Sequence, residues 1–343
     1  EKRKDFQLKK SDLPADLGGL KDAMIFHIRL LWHLLDAKAI PGDPPQTNLE
    51  LFLDQFKSKA AVFARRGSSH LLVSVKKITG ASRLATYKSR SKIVLHARKM
   101  EENLVLYIDS NIARFGLVKW APDFRQSPYS AYNSACRIIA IDTFRQAVVS
   151  HAYASYKPNI AYAEDMDLLI RLYDHVVHHF FYGRYTREVH NPGSVQVADE
   201  QNTVYKSRSR LAESRLNFMV ENRWNPLLHA LASTAATSDD ERDPGDKKLD
   251  NRPVFYTRRR PERSAAANSF IRDLEFKREK NARLDRSKRW KERVRIVPSH
   301  DQEDTLFPAL PEGMPIDYFD PDFYNSLEPN LRSRIAIPEV ALL

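Results

Sequence analysis

Apolar residues recur at helical spacing through the first two thirds of the chain. In "TNLELFLDQFKSKAAVFARRG", Leu49, Phe52, Leu53, Phe56, Ala60 and Phe63 fall on one stripe. Thr47 and Glu50 have capping-box spacing at its start, and Gly67 supplies a left-handed stop. Before it, "AMIFHIRLLWHLL" (Ala23 to Leu35) is the most apolar segment, short of the roughly 18 residues that span a bilayer. It reads as a buried core helix, set off by the turn cluster "IPGDPP". Further helices are predicted over Met100 to Phe115, Tyr129 to Tyr156, Ala161 to Tyr182 and Val204 to Trp224, where Asn225-Pro226 ends the last. "HLLVSVKKI" fits a short strand or a helical turn equally well.

The pattern then changes. Residues 233–253, "STAATSDDERDPGDKKLDNRP", are small, polar and acidic, and read as a solvated linker. A helix is expected from Ser264 to about Val297, ended by Pro298. Beyond it the prolines at 308, 311, 315, 321, 329 and 338 exclude regular elements longer than about two turns. That tail is expected to be mostly extended, packing through its aromatics or staying mobile. The expected fold is mainly α: a helical globular domain over 12–232, an acidic linker over 233–253, a basic helical segment over 254–300 and an acidic extended tail over 301–343.

Composition removes several classes. Ten glycines in 343 residues argue against Gly-rich phosphate loops. The one cysteine, Cys136, excludes an intrachain disulfide, and with no Asn-x-Ser/Thr sequon an intracellular protein, nuclear or cytoplasmic, is expected. The chain starts at Glu1 without Met, as expected of a fragment or processed product, and "EKRKDFQLKK" lacks the apolar core of a signal peptide. No membrane partner and no small-molecule ligand is indicated.

Charge sharpens the picture. The net charge is +11, but residues 251–300 hold sixteen Lys/Arg against six Asp/Glu, and residues 301–343 hold two against nine. Within the basic block, Lys277, Arg278, Lys280, Arg283, Arg286, Lys288, Arg289, Trp290, Lys291, Arg293 and Arg295 form a candidate nucleic-acid surface. Arginine forks suit phosphate and Trp290 could stack on a base. The apolar stripe of Phe270, Ile271 and Leu274 fails beyond Phe276, so the following stretch is polar on nearly all sides. The competing expectation is that the acidic tail, through Asp317, Asp320 and Asp322, folds back and neutralises the helix.

Enzymatic signatures are absent. His175 and His179 share a helical face with His178 beside them, yet zinc needs a third ligand, and no paired-Cys or HExxH pattern exists. Tyr182 and Tyr185 lie nearby, but the histidine spacing is wrong for a tyrosine-dependent nuclease. Asp109, Asp142, Asp165 and Asp167 show no spacing that singles out a catalytic pair, and Glu164 and Asp165 read as first-turn acids. No GxxxxGK[ST], G-x-S-x-G or dinucleotide fingerprint occurs. No catalytic residue, metal ligand or cofactor is assigned, and the reading leans away from an enzyme. Thr237 and Ser238 precede acids, a pattern an acid-directed kinase accepts, although a plain soluble linker reads the same way.

The segments "RLAESRLNFMVENRW", "SDDERD", "NSFIRDLE" and "GMPIDYFDPDFYNSL" resemble, in this order, uncharacterised multi-copy proteins of mushroom-forming basidiomycete fungi linked to mobile elements. The resemblance covers Arg210 to Leu343. It implies a nuclear, transposable-element context and carries no activity, cofactor or catalytic residue. The function expected is a non-enzymatic nucleic-acid-binding or accessory domain contacting DNA or RNA. The alternatives are a structural or protein-interaction domain with its basic helix paired to its own tail, and a transposase or nuclease remnant.

Overall fold

Two helices that bury most of their apolar side chains carry the core of the first half. A computed structural model describes residues 5–36, 38–79, 91–284, 293–297 and 303–343, and is mainly α, with twelve α-helices among them. The chain divides into two units, residues up to Gln196 and Val197 to Leu343. The boundary therefore precedes the expected one at residue 232.

In the first unit α1 (Gly18–Trp32) buries Leu20, Met24, Phe26, Ile28, Leu30, Leu31 and Trp32, with His27 and Arg29 buried among them. His33 ends it in the left-handed conformation, φ 61°, donating its N–H to Arg29 O. Gly19 is obligatory: a Cβ there would sit 2.3 Å from Tyr156 O. The stripe expected to form one helix over 49–63 is two, α2 (Gln46–Gln55) and α3 (Lys59–Arg65). Phe56 turns extended and packs its ring 4.7 Å from Phe52, while Ser58 restarts the chain by accepting from Ala61 N–H at 3.2 Å. Leu53 and Phe63 are consequently exposed. The expected capping box and glycine stop do not form: Pro45 precedes α2 without a side-chain cap, and Gly67 is not left-handed.

After α4 (Lys92–Ala97), α5 (Glu102–Arg114) packs Ile108 and Ile112 toward α6 (Ala131–Val149), the second core helix. Between α1 and α6 the buried His27 hydrogen-bonds Tyr153 Oη at 2.6 Å and Thr143 Oγ1 at 2.9 Å. Asp165 caps α7 (Met166–Asp174) through Leu168 N–H at 2.9 Å, and a π-helical turn, His175–Phe181, leads straight into α8 (Tyr182–His190).

The second unit takes nearly all of α9 (Ser194–Glu221), which buries Arg208, Ala212, Arg215 and Met219 along one stripe. Residues 233–253 do not form the expected solvated linker. Ala236, Thr237, Ser238 and Asp239 are buried, and the chain continues into β1 (Asp240–Arg242) and β2 (Lys248–Leu249). Part of its polarity is met internally: Arg208 donates to Thr237 O at 2.6 Å and Ala235 O at 2.9 Å, and Asp239 accepts from Leu306 N–H at 3.1 Å. β3 (Arg252–Thr257) pairs antiparallel with β1 and β2.

The basic helix is α10 (Ala265–Leu284). It does not run on to Val297, because β4 (Val294–Ile296) pairs parallel with β3 there, Phe255 opposite Arg295. α9 and α10 run antiparallel, Ser214 against Arg278 and Trp224 against Phe270. The proline-spaced tail is not simply extended. Its β5 (Met314–Pro315) pairs parallel with β6 (Ala336–Ile337), and α11 (Pro321–Ser326) and α12 (Pro329–Ile335) start on the prolines. Each is shorter than two turns, the limit that the proline spacing sets. Tyr318 and Phe319 are buried in one apolar cluster with Leu231, Ala236 and Ala267, which seats the tail on its own unit.

Candidate functional site

Burying an arginine is tolerable only when its five donors and its charge are met. The second unit buries Arg208, Arg215, Arg260, Arg263 and Arg278. Glu275 and Glu262 meet three of them, and Arg208 and Arg263 donate to backbone carbonyls. Arg215 on α9 donates to Glu275 on α10 at 2.9 Å, and Arg278 binds the other oxygen of the same carboxylate and Ser214 Oγ at 3.1 Å. Burial opposes ionisation of Glu275, but the guanidiniums of Arg215, Arg278 and Arg295 hold its carboxyl down at about 2. Burial lowers Arg215 to about 10, with Glu275 pulling the other way.

Arg295 on β4 grips Asp240 on β1 with a fork, at 2.7 Å from Nη2 and 2.9 Å from Nε. Burial lowers its pKa, yet Asp240 outweighs this and the net shift is upward. Arg293 reaches the same carboxylate at 3.5 Å and lies over the Phe255 ring at 4.7 Å. A second group is centred on "RRR". Arg258 pairs with Glu303 at 2.6 Å and Glu241 at 2.9 Å, and Arg259 with Asp304 at 2.8 Å. Arg260 binds Glu262 and donates to Ala309 O at 3.0 Å.

The eleven residues singled out by the charge pattern thus separate. Arg278 is buried in its ion pair, and Arg295 and Arg293 are half-buried against Asp240. Lys277 is exposed with its ammonium 5.3 Å from the Trp224 ring, and Lys280 is exposed. Arg283 lies in the last turn of α10, and its side chain lies outside the described residues, as do Arg286, Lys288, Arg289, Trp290 and Lys291 altogether. Asp317 does not face the helix: its Oδ2 accepts from Leu342 N–H at 2.6 Å and Leu343 N–H at 2.5 Å. Asp320 caps α11 through the N–H groups of Asp322 and Phe323, both at 3.1 Å.

Arg208, Arg215, Asp240 and Glu275 escaped the sequence reading. One signal was present: on α9 the buried stripe 208, 212, 215, 219 alternates Arg, Ala, Arg, Met at helical core spacing. Arginine at two positions of an apolar stripe marks an internal charge that needs an acid.

The first unit disperses its carboxylates. Asp142 accepts both Arg66 nitrogens, at 2.8 and 2.5 Å, beside a pocket of about 230 Å³ lined by Tyr107, Arg145, Gln146 and Glu164. Asp165 is a helix cap and Asp109 is fully buried. Among the described residues no group of three His, Cys, Asp or Glu side chains is placed to hold a metal ion. No helix among them is long and apolar enough to cross a membrane.

Residues 186–342 match the model of a family described as a domain of unknown function (DUF8263). The match begins eleven residues before the second unit and ends one residue short of its last. No curated protein and no solved structure matches the chain.

Proposed function

We propose that residues 197–343 form a non-enzymatic interaction module whose arginines serve its own fold. The observation that carries this reading is the pairing of buried Arg278 with Glu275 and of Arg295, its side chain 11% exposed, with Asp240. A guanidinium that is already desolvated and paired is not on offer to phosphate. Withdrawing it would strand a buried carboxylate at a cost of about 3–5 kcal/mol. The fork geometry that suits phosphate is here matched to carboxylates of the same chain. The acids responsible lie mainly in the segment at 239–241 and on α10 itself, with Glu303 and Asp304 serving Arg258 and Arg259.

Titration of labelled duplex DNA and single-stranded RNA, followed by fluorescence anisotropy at about 50 mM salt where electrostatic binding is strong, tests the reading. The expected result is no saturable binding. Saturable binding with a log–log salt slope of roughly −6 or steeper, the signature of at least six phosphate contacts, would replace it with a nucleic-acid-binding function.

A further inference from the structure

Around the π-helical turn of the first unit, buried polar atoms collect without partners. Tyr173 is fully buried and its hydroxyl has no hydrogen-bond partner among the described residues; the same is true of His178 Nε2 and Arg137 Nε. The three side chains touch. The Arg137 guanidinium lies 5.7 Å from the Tyr173 ring centre, and the Tyr173 and His178 rings are 5.9 Å apart. Arg137 meets Asp174 at 2.9 Å and Pro128 O at 3.2 Å with its terminal nitrogens, which leaves Nε unserved. Native interiors rarely leave such atoms unsatisfied, and the Tyr173 hydroxyl and Arg137 Nε–H each require an acceptor. π-helical turns themselves concentrate at functional sites.

Phe6 covers this group. Its ring lies 6.2 Å from Tyr129 and 5.9 Å from His178, and two residues on Leu8 N–H donates to His175 Nδ1 at 3.2 Å. The Phe6 backbone is left-handed, φ 57°, a conformation that a bulky residue adopts only under constraint. The ring fills an aromatic slot and brings no acceptor to the polar atoms beside it.

We propose that Arg137, Tyr173 and His178 form a latent binding site for a neutral planar aromatic ring bearing a carbonyl oxygen. The guest's ring replaces Phe6 between Tyr129 and His178, and its carbonyl accepts from the Tyr173 hydroxyl and Arg137 Nε–H. The guest is neutral because Arg137 and Asp174 already balance one another. Burial, with Arg137 nearby, lowers His178 to about 4, so no spare positive charge awaits an anion.

The test titrates the full chain and its Phe6→Ala variant calorimetrically with benzamide, and with toluene and benzoate as controls. The Phe6→Ala protein is expected to bind benzamide about tenfold more tightly than the parent. Adding Tyr173→Phe should cost about tenfold, the value of one hydrogen bond to the carbonyl. Toluene and benzoate should bind more weakly than benzamide. Phe6→Gly, which relieves the left-handed backbone, substitutes for Phe6→Ala if that variant does not fold. Absence of saturable heat with benzamide, equal binding of toluene, or indifference to Tyr173→Phe would each overturn the proposal and leave ordered water as the partner of these atoms.

Discussion

Glu275 is the residue on which the second unit's interior charge turns. It faces Arg215 and Arg278 directly, and its carboxyl lies at about 2 because those guanidiniums, with Arg295, outweigh its burial. Its folded value is below the unfolded one, so its stabilisation is complete above about pH 4.5 and is lost as the pH falls toward 2. Glu275→Gln strands Arg215 in the interior and should cost about 3–5 kcal/mol, read from urea unfolding at neutral pH. At this scale the sequence was only half legible. A run of Lys and Arg announces positive charge, but not which side chains face inward. Arg278 and Lys280 look alike in the chain, yet one is buried and the other exposed. The difference is set by α9, where Ser214, 64 residues earlier, accepts from Arg278, a contact that no local pattern encodes.

At the scale of elements, what the sequence disclosed depended on how local the cause is. Helices with long apolar stripes were legible: α5 lies where periodicity put it, and α1 and α6 begin near their expected places but end at Trp32 and Val149, short of Leu35 and Tyr156. Asp165 is the N-cap of α7 rather than a first-turn acid. The break between α2 and α3 was missed because the stripe continues in phase through it, although Ser58 was a visible restart signal. β4 was illegible for a different reason. Three residues inside a basic run form a strand because β3, some forty residues earlier, supplies the ladder. The same applies to residues 233–253, whose polar composition signals solvent but whose acids and carbonyls serve buried arginines. Short helices in the tail depend on their caps. Asp320→Ala should lower the stability of the second unit by about 1 kcal/mol, with Asp322→Ala, an exposed first-turn acid, leaving the urea midpoint in place.

Across the whole molecule the ionisable groups predict how the two units respond to acid. In the first unit burial lowers His27 to about 3, and His175 and His178 to about 4. Their folded values lie below the unfolded 6.5, so the stability they confer is full above pH 6.5 and is lost as pH falls toward 4. Asp174 acts in the opposite sense: burial raises it to about 6, so its protonation favours the folded state across the same range. Three histidines outweigh one carboxyl. Thermal melting should therefore show a lower midpoint at pH 5 than at pH 7, by a free energy of about 1.4 kcal/mol per pH unit for each uncompensated proton. An unchanged or higher midpoint at pH 5 would mean that these imidazoles are hydrated.

The arginines of the basic segment that lie on α10 and β4 hold the second unit together. Urea unfolding of Arg295→Ala beside Lys280→Ala tests it most directly, since the two cations come from one run and differ in burial and pairing. Arg295→Ala is expected to lose about 3–5 kcal/mol, because Asp240 keeps its charge without its fork, and Lys280→Ala to unfold at the parent's midpoint. Equal stability of Arg295→Ala and the parent would contradict it.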